Sequence, residues 1–148
     1  MLLVGVEDNL QHHFAPYRWP ERFRGVAPDE IRRYRGILNA HHRRLDGLLA
    51  GLFELADERT VVLLVSDHGY RFLPDNPLTP EAHGEEGVLF ALGGPVRAGA
   101  SGLSGSVYDV APTVLHLLGH PAPQGWSGRA LTELFDDAFL ARHPTRRE

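Results

Sequence analysis

"TVVLLVSDHGYRF", residues 60–72, decides how this chain is read. From Thr60 to Val65 every residue is apolar or β-branched, the pattern of a strand covered on both faces of a sheet. The run stops at Ser66-Asp67-His68-Gly69, which sets a carboxylate and an imidazole side by side before a glycine. A strand that only fills a core has no use for that ending. In open α/β sheets ligands sit beyond the carboxyl ends of the strands, so Asp67 and His68 are the first candidates for chemistry.

On the N-terminal side, Leu2 to Val6 reads as a short buried strand. Residues 7–28 are polar, aromatic and interrupted by proline, and are expected to form a long structured loop. Pro28, Asp29 and Glu30 open a helix, with proline near its first position and acids in its first turn. Ile31, Tyr34, Leu38, Leu45, Leu48, Leu49 and Leu52 give one apolar face of a single long helix ending near Asp57.

On the C-terminal side, Tyr70 to Glu86 reads as a loop and Gly87 to Leu92 as a strand closed by Gly93-Gly94-Pro95. Ser106 to Leu118 predicts a second helix stopped by Gly119. Ser106 and Asp109 form a possible capping box, while Pro112 leaves open whether the helix starts at Ser106 or at Asp109. Leu131 to Leu140 is expected to form a last short helix, and residues 141–148 a frayed tail. The sum is one α/β domain over residues 1–148, with a largely parallel sheet flanked by helices.

The bulk numbers are those of an ordinary globular chain. There are 148 residues, enough for one sizeable core. The net charge of −4 argues against a nucleic-acid binder that works through a basic surface. Cysteine is absent, which removes disulfides, thiolate metal sites and cysteine nucleophiles. The N-terminus has no basic segment, and its apolar run is too short for a signal peptide or a membrane span. The compartment stays open.

Three polar groups fall beside the expected strand ends: Asp8 with His12, Asp67 with His68, and His83. Carboxylate and neutral imidazole suit zinc and similar divalent ions, provided three or four of them converge. Four residues separate Asp8 from His12, so both share a face if the segment makes a helical turn. Adjacent Asp67 and His68 diverge, and two neighbouring metal sites would use both directions. The remaining histidines have plainer readings. His13 is solvated, His41 and His42 are surface or packing residues mid-helix, and His116, His120 and His143 are helix, turn and tail residues. Phe14, Tyr17 and Trp19 pack under a loop. "GLSGS" at 102–106 lacks the final glycine of a nucleophile elbow, and no glycine-rich phosphate loop is present.

With these pieces laid out, the chain resembles the C-terminal half of the alkaline phosphatase superfamily, most closely its type I phosphodiesterase/nucleotide pyrophosphatase branch. "VEDNLQHHF" resembles that branch's Asp-x-x-x-His segment and "VVLLVSDHGY" its Ser-Asp-His-Gly segment. "AHGEEGVLFALGGPVRAG" is similar to its His-Gly stretch, and "SVYDVAPTVLHLLGHPAPQGWSGRAL" to its Asp-x-x-Pro-Thr helix with a Gly-Arg-x-Leu ending. The likeness runs in order from about Leu2 to Leu134.

The resemblance implies an alkaline-phosphatase-like fold and a metal-dependent hydrolase of phosphate esters or nucleotides with two divalent ions, zinc or else manganese. Asp8, His12 and His83 would hold one ion, and Asp67 with His68 would help hold the other. The family's Ser or Thr nucleophile belongs to a segment upstream of the one matching Asp8. Ser66 and Thr79 are poor substitutes for it. This chain is therefore expected to be a portion whose N-terminal half is missing or supplied by a partner chain, and to be inactive alone. Two alternatives follow: a non-catalytic fragment that binds a metal or a partner, and a sulfatase- or phosphomutase-type member of the same superfamily.

Overall fold

The computed structural model describes residues 5–73 and 81–148. They form two compact units, Met1–Leu55 with His68–Gly87, and Ala56–Asp67 with Val88–Glu148. The chain crosses from one to the other within the Ser-Asp-His-Gly stretch, between Asp67 and His68. Thr79 and most of the strand expected over Leu2–Val6 lie outside the described residues.

The first unit begins with helix α1, Val6–Arg18, where a loop was expected. The helical signals were present: Glu7 and Asp8 occupy the first turn and Arg18 the last, as the helix dipole favours. Pro16 argued against a helix, yet it falls in the last turn, where only one ladder bond is lost. Ala15 is fully buried, and Phe14 and Tyr17 meet Tyr34 at ring distances of 6.0 and 5.0 Å. Tyr34 closes α2, Pro28–Tyr34. The expected long helix is in fact two, because Gly36 breaks the run before α3, Ile37–Phe53.

The unit is completed by a hairpin in the segment read as a loop. Strand β2, Gly69–Phe72, pairs antiparallel with β3, Glu81–Gly84, in the register Gly69↔Gly84, Tyr70↔His83, Arg71↔Ala82 and Phe72↔Glu81. Gly69 is required here by space. A Cβ on it would run into the carbonyl oxygen of Glu86. This is the glycine that ended the opening stretch.

In the second unit β1, Val62–Val65, pairs antiparallel with β4, Leu89–Leu92. The expected largely parallel, alkaline-phosphatase-like sheet flanked by helices is therefore corrected. The described residues form two antiparallel two-stranded ladders, β1–β4 and β2–β3. Parallel neighbours need a crossover of a dozen or more residues, usually a helix. The segment between β1 and β4 spends its length on the β2–β3 hairpin, and β4 returns antiparallel to β1. Nor is β1 covered on both faces: Leu64 and Val65 are exposed, and so are Phe90 and Leu92 on β4.

The core of this unit is Leu131, Leu134, Phe135 and Phe139, against which Leu89, Ala91, Val96, Leu117 and Leu140 pack. Ser106 and Asp109 do form the capping box, and it opens a 3-10 turn, Val107–Asp109. Helix α4, Val110–Leu117, follows with Asp109 as its N-cap residue, which places Pro112 in its first turn. Asp109 also binds outward. Its Oδ2 accepts from Ser106 N–H and its Oδ1 from Arg129 N–H, both at 2.8 Å. One turn on, the Thr113 hydroxyl donates to Asp109 O and accepts from Leu131 N–H. Gly128 passes so close to Tyr108 O that no side chain fits there. The Asp-x-x-Pro-Thr motif thus holds the 128–131 segment onto α4.

Helix α5, Asp137–Arg142, is capped by the Asp136 carboxylate. The end of the chain is tied down rather than frayed. Ala122 N–H donates to Arg146 O, and Glu148 N–H to Ala122 O. Among the described residues no helix is long and apolar enough to cross a membrane.

Two predictions follow from this unit. Replacing Thr113 by Val leaves the buried Leu131 N–H unpaired and should cost about 1–3 kcal/mol, read from urea midpoints. Burial, with a smaller contribution from His143, holds the His116 imidazole below its ordinary range. The folded state thus binds its proton less readily than the unfolded one. Its stabilisation is complete above the ordinary histidine pKa of about 6.5 and is lost as pH falls from there through the lowered value. Urea melts followed on Leu131 and Leu134 methyl resonances should show this acid loss, and His116→Gln should reduce it.

Candidate metal centre

Four of the five residues singled out in the sequence lie in the first unit. Helix α1 carries Asp8 and His12 one turn apart, and strand β3 carries His83. Their ligand atoms converge: His12 Nε2 to Asp8 Oδ1 is 3.2 Å, His83 Nε2 to Asp8 Oδ1 is 3.3 Å, and the two Nε2 atoms are 3.0 Å apart. Ligand atoms around a tetrahedral zinc at about 2.0–2.1 Å stand roughly 3.3–3.4 Å from one another. The three donors therefore already form one face of such a tetrahedron. The trio is the group of acidic and imidazole side chains suited to a metal ion among the described residues.

His68 adjoins the trio. Its ring stacks on His83 at 4.0 Å and 13°, its Nδ1 donates to Gly69 O, and its Nε2 lies 3.9 Å from Asp8 Oδ1. Asp67 is exposed and belongs to the second unit. Asp8 and His12 were expected in a loop after a strand, and His83 in the loop before one. Two of them instead come from a helix and one from an antiparallel strand.

The outer partner of this site escaped the sequence reading. Glu81 Oε1 lies 3.0 Å from His12 Nδ1, and its Oε2 accepts from the Tyr70 hydroxyl. A carboxylate at Nδ1 holds the proton there and turns the lone pair of Nε2 toward Asp8 and His83, the second-shell arrangement of metal-bound histidines. The signal lay in strand alternation. Positions 70 and 72 share a face with 81 and 83 once the hairpin is paired. Reading residues 70–86 as a loop hid it.

A second carboxylate steadies α1. Glu7 accepts from His41 Nε2 at 2.6 Å and from His42 Nε2 at 2.9 Å, joining α1 to α3 beside Asp8. Asp46 stands at helical spacing from His42, yet the carboxylate that both rings meet comes from another helix.

The donor set fits a divalent cation of zinc type: one carboxylate oxygen and two imidazole Nε2 atoms, one of them oriented from behind. Replacing Glu81 by Gln should weaken zinc binding about 10–100-fold, measured by calorimetry, with the fold unchanged by circular dichroism.

Comparison with protein-family models, with curated proteins and with solved structures finds no match for this chain.

Proposed function

We propose that this chain carries the metal-binding share of a metal-dependent phosphate-ester hydrolase of phosphodiesterase/nucleotide pyrophosphatase type. The observation that supports this reading is the convergence of Asp8, His12 and His83, the two histidines 71 positions apart, on one tetrahedral face. The order of the Asp-x-x-x-His, Ser-Asp-His-Gly and His-Gly segments supplies the substrate class through the resemblance stated above.

Asp8, His12 and His83 would hold a zinc or manganese ion. When bound, such an ion polarises a phosphoryl oxygen and offsets the charge of an in-line transition state. The chain's own residues prepare that position. Glu81 holds the Nδ1 proton of His12, Tyr70 holds Glu81, and Glu7 anchors the first turn of α1. By resemblance, Asp67 with His68 would serve a second ion, and the nucleophile would come from a segment upstream of the Asp8 motif.

A second reading is metal binding without turnover. It is favoured by the openness of the cluster, since the Asp8 and His83 side chains are 43% and 56% exposed and catalytic metals usually sit in a dry, shaped cavity.

The protein, loaded with zinc or manganese, should be titrated by calorimetry and assayed on bis(p-nitrophenyl) phosphate beside His83→Ala. With its nucleophile on another segment, the hydrolase reading predicts only slow metal-dependent turnover, lost in the variant, with affinity reduced by more than about 100-fold, beyond what an outer partner costs. Binding without turnover favours the second reading. Absence of saturable binding overturns both.

A further inference from the structure

The C-terminal unit contains a pocket of about 250 Å³ that the metal-centre reading does not use. It lies between α4 and the returning end of the chain, and His116, His120, Arg129, Thr145, Arg146 and Arg147 line it. None of the described residues lining it is acidic. Its volume falls below the roughly 300–1,000 Å³ of pockets that take drug-sized molecules, so it suits an ion or a small metabolite.

Two features mark it as built for an oxyanion. The first is a fixed cation. The Arg147 guanidinium donates to Trp126 O at 3.1 Å and to Gly128 O at 2.7 Å. Neutral carbonyls hold it in place, no carboxylate among the described residues forms an ion pair with it, and several of its five N–H groups stay available. Arg146 stands beside it, its carbonyl bound by Ala122 N–H. Arg129 is the exception: Glu133 pairs with it at 2.7 Å and offsets its charge.

The second feature is an orphaned polar atom. His116 is 6% exposed, and its Nε2 is buried with no hydrogen-bond partner. The ring is held against Phe135 and Phe139 at 5.8 and 5.6 Å. An unpaired buried polar group costs about 1–3 kcal/mol, and the ring that carries this one lines the pocket. The lowered proton affinity of His116 agrees with a dry site short of acceptors.

We infer that this pocket is a binding site for a small oxyanion, a phosphate or carboxylate group held among Arg146, Arg147 and His116, which line it. The inference is independent of the metal centre. Charge-assisted hydrogen bonds to two guanidinium groups supply the attraction, and the planar fork suits either oxyanion.

The test is a titration of the 148-residue chain, labelled at histidine, with inorganic phosphate and separately with acetate. Sodium chloride keeps the ionic strength constant, and prior treatment with a chelating resin keeps metal from the other unit. The His116 Hε1 resonance should shift saturably with at least one anion. Preference between the two distinguishes a phosphoryl from a carboxylate ligand. Arg146→Ala, which keeps the backbone bond to Ala122, should weaken binding about tenfold or more. The inference is overturned if neither anion gives a saturable shift. It is also overturned if the shift saturates at the same midpoint in Arg146→Ala, which would mark an adventitious ion only.

Discussion

The pairing of Tyr70 with His83 across β2 and β3 is the constraint on which the candidate metal centre depends. A one-residue slip would turn His83 and Glu81 to the opposite face of the hairpin. In the observed register both lie on the face that carries Tyr70, and His68 stacks on His83 from the start of β2. The glycine pair Gly69↔Gly84 lets the two strands close up at that end, where Glu86 O leaves no room for a side chain at 69. The glycine after Asp67-His68 thus serves the register.

From that register the chemistry follows in short steps. Tyr70 holds one oxygen of Glu81, Glu81 holds the Nδ1 side of His12, and the Nε2 of His12 faces those of its neighbours around Asp8. Two imidazole nitrogens 3.0 Å apart beside a carboxylate make a position that a shared cation would satisfy. The Glu7 bridge to His41 and His42 acts on the same helix from its other side. Few of these groups are deeply buried, so their value lies in orientation rather than in large electrostatic energies.

The C-terminal unit shows a different economy. Its hydrophobic core is small, and polar groups do much of the fastening. Asp109 and Thr113, one turn apart on α4, take the backbone N–H groups of Arg129 and Leu131, and the 144–148 segment closes beside Ala122. Motif residues that chemistry alone would assign to a site, such as Asp109, are structural here. The apolar side chains left exposed on β1 and β4 mark an edge of the kind that soluble proteins ordinarily cover or charge.

Much of this was legible residue by residue. The i, i+4 spacing of Asp8 and His12, the capping box at Ser106, the start of α2 at Pro28 and the apolar run before Asp67 are local patterns, decided by helical periodicity, by caps and by β-branched side chains. Those signals travel a few residues, and the sequence by itself determined what they govern: which segments could form, and which residue types could ligate. Tertiary structure decided the rest. Val6–Arg18 became a helix because Ala15, Phe14 and Tyr17 found partners to bury against, overriding Pro16. β4 ran antiparallel to β1 because the intervening chain was spent on a hairpin. Glu81 met His12 across 69 residues, and no local pattern specifies a contact at that range, because strand pairing and helix docking must first bring the two together.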